Sequence, residues 1–249
     1  MAYQDYCFEH SLLDNQKVIR IIDQAIEKKV GFSLARFGIG EITYLSWPAN
    51  PLLLEQFKRY ASYAGVTSSP EIIKNELVTA LRTVDMAGLI TPQRLDFWAK
   101  TTRLVLEQMA FLPSNICCAW IMHDLVNEGK LWRWLNKKKV FLVGRRSHEA
   151  YSIFKKQGVH VTGFIQLNHF DEIDIVHDYV LKDSKWEIVL ISAGIPATIL
   201  APRIAKSSGR VAIDFGHALD LIIDGKSFDH SMLVKKWNDQ DSLSKENEI

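Results

Sequence analysis

Apolar residues recur at helical spacing between positions 11 and 29. Leu12, Leu13, Val18, Ile21, Ile22, Ala25 and Ile26 are separated by charge, which predicts an amphipathic helix ended by Gly31. The rhythm then changes. Phe32-Ser-Leu-Ala-Arg-Phe37 is a strand-length run that enters Gly38-Ile-Gly40, and Glu41-Ile-Thr-Tyr-Leu-Ser46 opens a helix. Trp47-Pro-Ala-Asn-Pro51 is a break, and residues 52–62 form a short helix. Ser69 as a cap and Pro70 in the first turn start a helix that runs to about residue 87, where Gly88 closes it. Thr91-Pro92 starts another through about Met109. Ile116 to Ala119 fits either a short buried strand or the start of a helix through Glu128, and Leu131 to Leu135 is a further helical turn.

The second half is more regular. Apolar strands are predicted at Lys139–Gly144, Val159–Ile165, Trp186–Gly194 and Arg210–Gly216. Helices fall between them at 147–157, 171–182 and 196–206. Strands alternating with helices of this length imply βαβ units and a mostly parallel sheet. The chain therefore reads as one α/β domain over residues 1–237, helix-rich over 1–135 and βαβ-rich over 139–225. A polar segment at 238–249 is expected to be a mobile tail.

Composition narrows this little. A hydrophobic fraction of 47%, a charged fraction of 24% and a net charge of +1 over 249 residues describe a soluble globular chain. They give no global field for nucleic acid or an anionic membrane. Three cysteines, Cys7, Cys117 and Cys118, cannot build a disulfide framework, so a reduced, cytoplasmic setting is expected. There is no signal-peptide pattern, no zinc-ligand spacing and no apolar run of the roughly 18 residues that a membrane span needs.

Ligands of open parallel sheets bind beyond the carboxyl ends of the strands. Four predicted strand ends carry glycine with polar neighbours: Arg36-Phe-Gly-Ile-Gly-Glu41, Gly144-Arg-Arg-Ser-His148, Ser192-Ala-Gly194 and Asp214-Phe-Gly-His217. At the first, an arginine, bare amides of Gly38 and Gly40 and the Glu41 carboxylate suit a phosphate held beside a hydroxyl or metal. The alternative is a tight strand–helix turn whose glutamate is favoured by the helix dipole. Arg145 and Arg146 would meet a pyrophosphate at a helix N-terminus, or be solvated loop residues. Gly144, Gly194 and Gly216 give close backbone approach, with Ser192 beside them. Asp214, at an apolar strand's end, needs partners such as His217 or Arg36. His217 is a candidate phosphate contact or acid–base group. Trp132 and Trp134 read as core rather than as stacking platforms. The aromatic stretch from 97 to 135 fits an acceptor groove or a homo-oligomer interface. No dinucleotide fingerprint or Walker loop is present.

Arg36-Phe-Gly-Ile-Gly-Glu41 resembles the Arg-Phe-Gly-Asp-Gly-Glu signature of the GT-D-type glycosyltransferases. Ile191-Ser-Ala-Gly-Ile-Pro-Ala-Thr-Ile-Leu200 is similar to that family's later helix entry, and Asp214-Phe-Gly-His217 to its Asp-Ile-Gly-His segment. The motifs keep the family's order from about residue 30 to 225. The resemblance implies a Rossmann-like, mostly parallel sheet flanked by helices. It also implies transfer of a sugar from a nucleotide-diphosphate sugar to a hydroxyl of a glycan or glycoprotein acceptor, in bacterial surface assembly. By position, Glu41, Asp214 and His217 would be the catalytic set. Arg36, Gly38, Gly40, Gly144, Arg145, Arg146, Ser192, Gly194 and Gly216 would bind the donor. The family's Asp-x-Glu pair goes with Mn2+ or Mg2+. Here Ile39 replaces the aspartate and leaves Glu41 as the one matching metal ligand. A non-catalytic nucleotide-sugar-binding module is the main alternative, and a Rossmann-like methyltransferase the second.

Overall fold

Side chains alternate across a β-strand, and here both faces of the sheet are covered, so the strands are apolar almost throughout. The computed structural model describes residues 6–225. Its strands are β1 (Leu12–Leu13), β2 (Phe32–Phe37), β3 (Met86–Leu89), β4 (Ile116–Cys118), β5 (Lys139–Gly144), β6 (His160–Ile165), β7 (Ile188–Ser192) and β8 (Val211–Asp214). All pair in parallel in one sheet of order β1-β4-β3-β2-β8-β7-β5-β6.

The helices of the first half are α1 (Asn15–Lys28), α2 (Ile39–Ser46), α3 (Pro51–Phe57), α4 (Pro70–Thr83), α5 (Pro92–Gln108), α6 (Ile121–Asn127) and α7 (Leu131–Leu135). Those of the second half are α8 (Ser147–Lys156), α9 (Ile173–Lys182), α10 (Ile195–Ser208) and α11 (Ala218–Asp224). Ala35, Phe37, Ala87, Leu89, Val189, Ile191 and Ala212 face one core with α2, α4, α5, α9 and α10. Leu34, Met86, Cys117, Leu142, Leu190 and Ile213 face the other with α1, α6, α7, α8 and α11. The result is a three-layer α/β/α fold with a parallel sheet, as the strand–helix alternation predicts.

Three local expectations are corrected. The first helix starts at Asn15 rather than residue 11. Asp14 caps it by accepting from the Lys17 N–H at 2.8 Å, and Leu12–Leu13 before it forms an edge strand against β4. The helix expected to reach residue 87 stops at Thr83, and Met86–Leu89 is a buried central strand. Gly88 therefore closes no helix. It lies in β3, in register with Arg36 and Cys117. Ile116–Cys118 takes the strand alternative. Trp134 is buried and donates its indole N–H to Asp23 Oδ1 at 2.9 Å, and Trp132 packs edge-on against Phe154, so both are structural. The expected tail at 238–249 lies outside the described residues.

Candidate active site

β2 and β8 lie side by side, and their C-terminal ends bring together two motifs that are 178 residues apart in sequence. The Arg36 backbone N–H donates to Asp214 Oδ2 at 3.1 Å, and the Gly216 N–H donates to Asp214 Oδ1 at 3.1 Å. Arg36 Nη1 stands 3.9 Å from Oδ1, and Arg36 Nε donates to the Ala119 carbonyl at 2.7 Å. Asp214 is only 3% exposed, and these donors are the partners that a buried carboxylate requires. Gly216 has φ of +54°, and a Cβ there would fall 1.3 Å from Arg36 Nη1. The guanidinium thus lies directly on bare backbone, which is the reason for glycine at this position.

The Gly38-Ile-Gly40 turn starts α2. Glu41 reaches back to its N-cap, accepting from the Gly38 N–H through Oε2 at 2.9 Å, and is itself 9% exposed. Its Oε1 is 3.3 Å from Thr198 Oγ1 on α10. That hydroxyl is also 3.0 Å from Asp214 Oδ2 and 2.9 Å from the Arg36 carbonyl. A hydroxyl has one proton and cannot donate to three acceptors. A proton on Glu41 removes one of the three competitors, because Glu41 then donates to Thr198, whose own proton is left to the Arg36 carbonyl and Asp214. Burial, reinforced by the Asp214 charge, raises the Glu41 pKa to about 7. Burial also raises Asp214, against the opposing pull of Arg36.

His217 sits just before α11 with its ring stacked on Tyr63, centroids 5.5 Å apart. Its Nδ1 is 2.9 Å from the Tyr63 hydroxyl and 3.3 Å from Asp220 Oδ2. Burial pushes the Tyr63 phenol far up, so it stays protonated. Arg145 donates to the carbonyls of Ser62, Tyr63 and Asn168, tying the Tyr63 segment to the loop after β6. Arg146 departs from the diphosphate role expected of it. It is 6% exposed, and its five N–H groups match five bonds: two to Glu149, one to Asp220 and two to Asp224, all between 2.8 and 3.1 Å. These carboxylates leave no N–H of Arg146 for a phosphate.

These groups line one cleft of about 650 Å³, a size suited to a nucleotide-sized ligand. Of the residues expected from sequence, Arg36, Gly38, Gly40, Glu41, Arg145, Arg146, Ser192, Gly194, Asp214, Gly216 and His217 all border it. Gly144 does not. It ends β5 opposite Ser192 with φ of +140°, where a Cβ would lie 2.2 Å from the Ser192 carbonyl oxygen, so its role is strand packing. Ser192 Oγ in turn donates to the Gly216 carbonyl.

The aromatic part of the lining was not legible in the sequence. Phe57, Arg59, Tyr60, Tyr63, Trp98, Trp120 and His123 also line the cleft, and Thr198 and Asp220 support its polar groups. The two tryptophans come from the 97–135 stretch for which a groove was one reading. His123 is held neutral, its pKa lowered to about 2 by burial, Arg36 and His217. Its buried Nδ1 has no hydrogen-bond partner among the described residues.

The residues do not fit a dedicated divalent-cation site. Ile39 offers no side-chain ligand at the mouth of the cleft, and each Glu41 oxygen is already held by a protein group, Oε2 by the Gly38 N–H and Oε1 by the Thr198 hydroxyl. Among the described residues, no three His, Cys, Asp or Glu side chains converge as a metal cluster.

A family model described as a GT-D fold-like domain matches residues 13–222. One similar solved structure, described as a domain of unknown function (DUF1792) with a distinct glycosyltransferase fold, is 16% identical. The match covers 88% of this chain and 83% of that one, with a TM-score of 0.62. A second, described as a new DUF1792 glycosyltransferase from Streptococcus sanguinis, is 16% identical over 88% of this chain and 86% of that one, with a TM-score of 0.58. No curated protein gives a significant match. With the family model spanning nearly all of the sheet, and with the same fold in these structures, the chain belongs to the GT-D-like family of glycosyltransferases.

Proposed function

We propose that this glycosyltransferase moves a sugar from a nucleotide-diphosphate sugar to an acceptor hydroxyl without a divalent cation. One observation carries the reading: the strand-end motifs of β2, β7 and β8 converge on one cleft whose lining combines a guanidinium, two buried carboxyls and an imidazole with several aromatic side chains. In the transfer, the bond from the anomeric carbon to the diphosphate oxygen breaks with its electron pair, and the acceptor oxygen bonds to that carbon. The main electrostatic task is to stabilise the leaving diphosphate. Arg36 serves it from its seat on Gly216, and Arg59 adds positive charge along the same cleft. Glu41 helps in its protonated form, which a pKa raised to about 7 keeps populated near neutral pH, since an ionised carboxylate beside a diphosphate would repel it. The motif resemblance extends the proposal to a glycan or glycoprotein acceptor in bacterial surface assembly, and the streptococcal source of one similar structure agrees with a bacterial setting. Cys7, Cys117 and Cys118, none of them in a disulfide, support action in the cytoplasm. No described helix is long and apolar enough to cross a membrane.

The test is release of nucleoside diphosphate from UDP-, GDP- and dTDP-sugars, with saccharide acceptors, in EDTA. Turnover of one donor is expected, falling at least about a hundredfold in Arg36→Met. Release that begins only when manganese is added contradicts the cation-free reading. Binding of a donor with no release over the whole panel favours the non-catalytic module, the reading that Ile39 motivates.

A further inference from the structure

We propose that Asp220 is a positioning residue that holds His217 in the tautomer protonated on Nδ1, so that Nε2 takes the proton of the acceptor hydroxyl. This rests on the glycosyltransferase reading for its role, but not for its geometry. Two groups compete for Nδ1. The Tyr63 hydroxyl, 2.9 Å away, can either give or accept a proton, whereas the Asp220 carboxylate, 3.3 Å away, can only accept. A lone pair on Nδ1 facing that carboxylate would be repelled, and an N–H facing it is attracted. Asp220 is therefore the partner that selects the tautomer, and Tyr63 adapts.

The surroundings hold Asp220 and the imidazole in place. Asp220 Oδ1 accepts from Arg146 at 3.1 Å, and Arg146 is locked by Glu149 and Asp224. The Tyr63 ring covers one face of the imidazole, and its backbone is fastened by Arg145. His123 packs edge-on at 6.4 Å and, being neutral, adds no competing charge. The two arginines expected to bind phosphate thus build the support of the histidine. In the reaction, the acceptor O–H proton passes to His217 Nε2 as the acceptor oxygen bonds to the anomeric carbon. The bond from that carbon to the phosphate oxygen breaks with its electron pair on the leaving nucleoside diphosphate. The imidazolium so formed faces Asp220.

Nitrogen NMR of the full chain labelled with 15N-histidine, with His217→Gln to assign the signal, reads the tautomer directly and needs no ligand. The wild type is expected to carry its proton on Nδ1. In Asp220→Asn the side-chain amide can donate to Nδ1, and the proton should move to Nε2. Asp220→Glu should restore the original tautomer, and Tyr63→Phe should leave it unchanged. Transfer by Asp220→Asn should fall about a hundredfold or more in kcat, with the donor KM within about threefold. A wild-type proton on Nε2, or a switch in Tyr63→Phe, would overturn the assignment even if Asp220→Asn failed to fold. A switched tautomer with unchanged kcat would overturn the base role alone. Failure of all donors to bind would remove the glycosyltransferase reading and leave the tautomer result standing.

Discussion

Glu41 links chemistry and stability at a single residue. Its carboxyl titrates near 7 in the folded chain against 4.5 unexposed to the fold, so between these values the native state binds more protons than the unfolded state. Stability contributed by the neutral carboxyl is then lost as pH rises from 4.5 to 7, by on the order of 3 kcal/mol. This is the reverse of a salt-bridged carboxylate. Glu41→Gln mimics the protonated form, accepting from Gly38 and donating to Thr198. Urea unfolding at pH 5 and pH 8 should show a smaller pH dependence for Glu41→Gln than for the wild type, and greater stability at pH 8. An equal pH dependence in the two proteins would place the titration elsewhere. Gly216→Ala should displace Arg36 from its seat, because the new methyl would occupy the position of Nη1. Donor affinity measured by calorimetry should drop at least about tenfold, the scale of one charged contact. At this scale the sequence was informative where chemistry is carried by short runs, as in Arg36–Glu41 and Asp214–His217. It was silent on Thr198, Tyr63 and Asp220, whose meaning depends on contacts across 154 residues or more, or on which way a helix turns its carboxylate.

Elements show why the first half of the chain was harder to read than the second. β3 has four residues, all buried, between a helix that ends at Thr83 and another that begins at Pro92. A strand covered on both faces shows no alternation, and Met-Ala-Gly-Leu differs little from a helix tail. β1, with two residues, gives even less pattern. β5 to β8 were legible because each is a β-branched run bounded by glycine or a polar turn. The Arg146 cluster ties the start of α8 to α11, and with it the histidine to the sheet. Arg146→Met leaves three carboxylates facing one another, and a loss of about 3 kcal/mol is expected from urea unfolding. A loss under 0.5 kcal/mol would show that the cluster is solvated rather than structural. Gly144→Ala should be similarly damaging, since its methyl would meet the Ser192 carbonyl of the neighbouring strand and neither backbone can yield without breaking the β5–β7 pairing.

At the scale of the whole molecule, the sheet order assembles the site. Placing β2 beside β8 puts the first motif of the chain next to the last, and α10 then spans both through Thr198. The cleft that results keeps a glycosyltransferase fold, while Ile39 stands where the signature it resembles has an aspartate. In the proposed function, the Arg36 guanidinium and protonated Glu41 take a cation's place in holding the diphosphate. The most direct measurement is a thermal-shift titration with nucleoside diphosphates and their sugars, in EDTA and in manganese, on the wild type and Arg36→Met. A rise in Tm with one donor is expected, the same in EDTA and manganese and absent in Arg36→Met. A rise that needs manganese and survives Arg36→Met would contradict it.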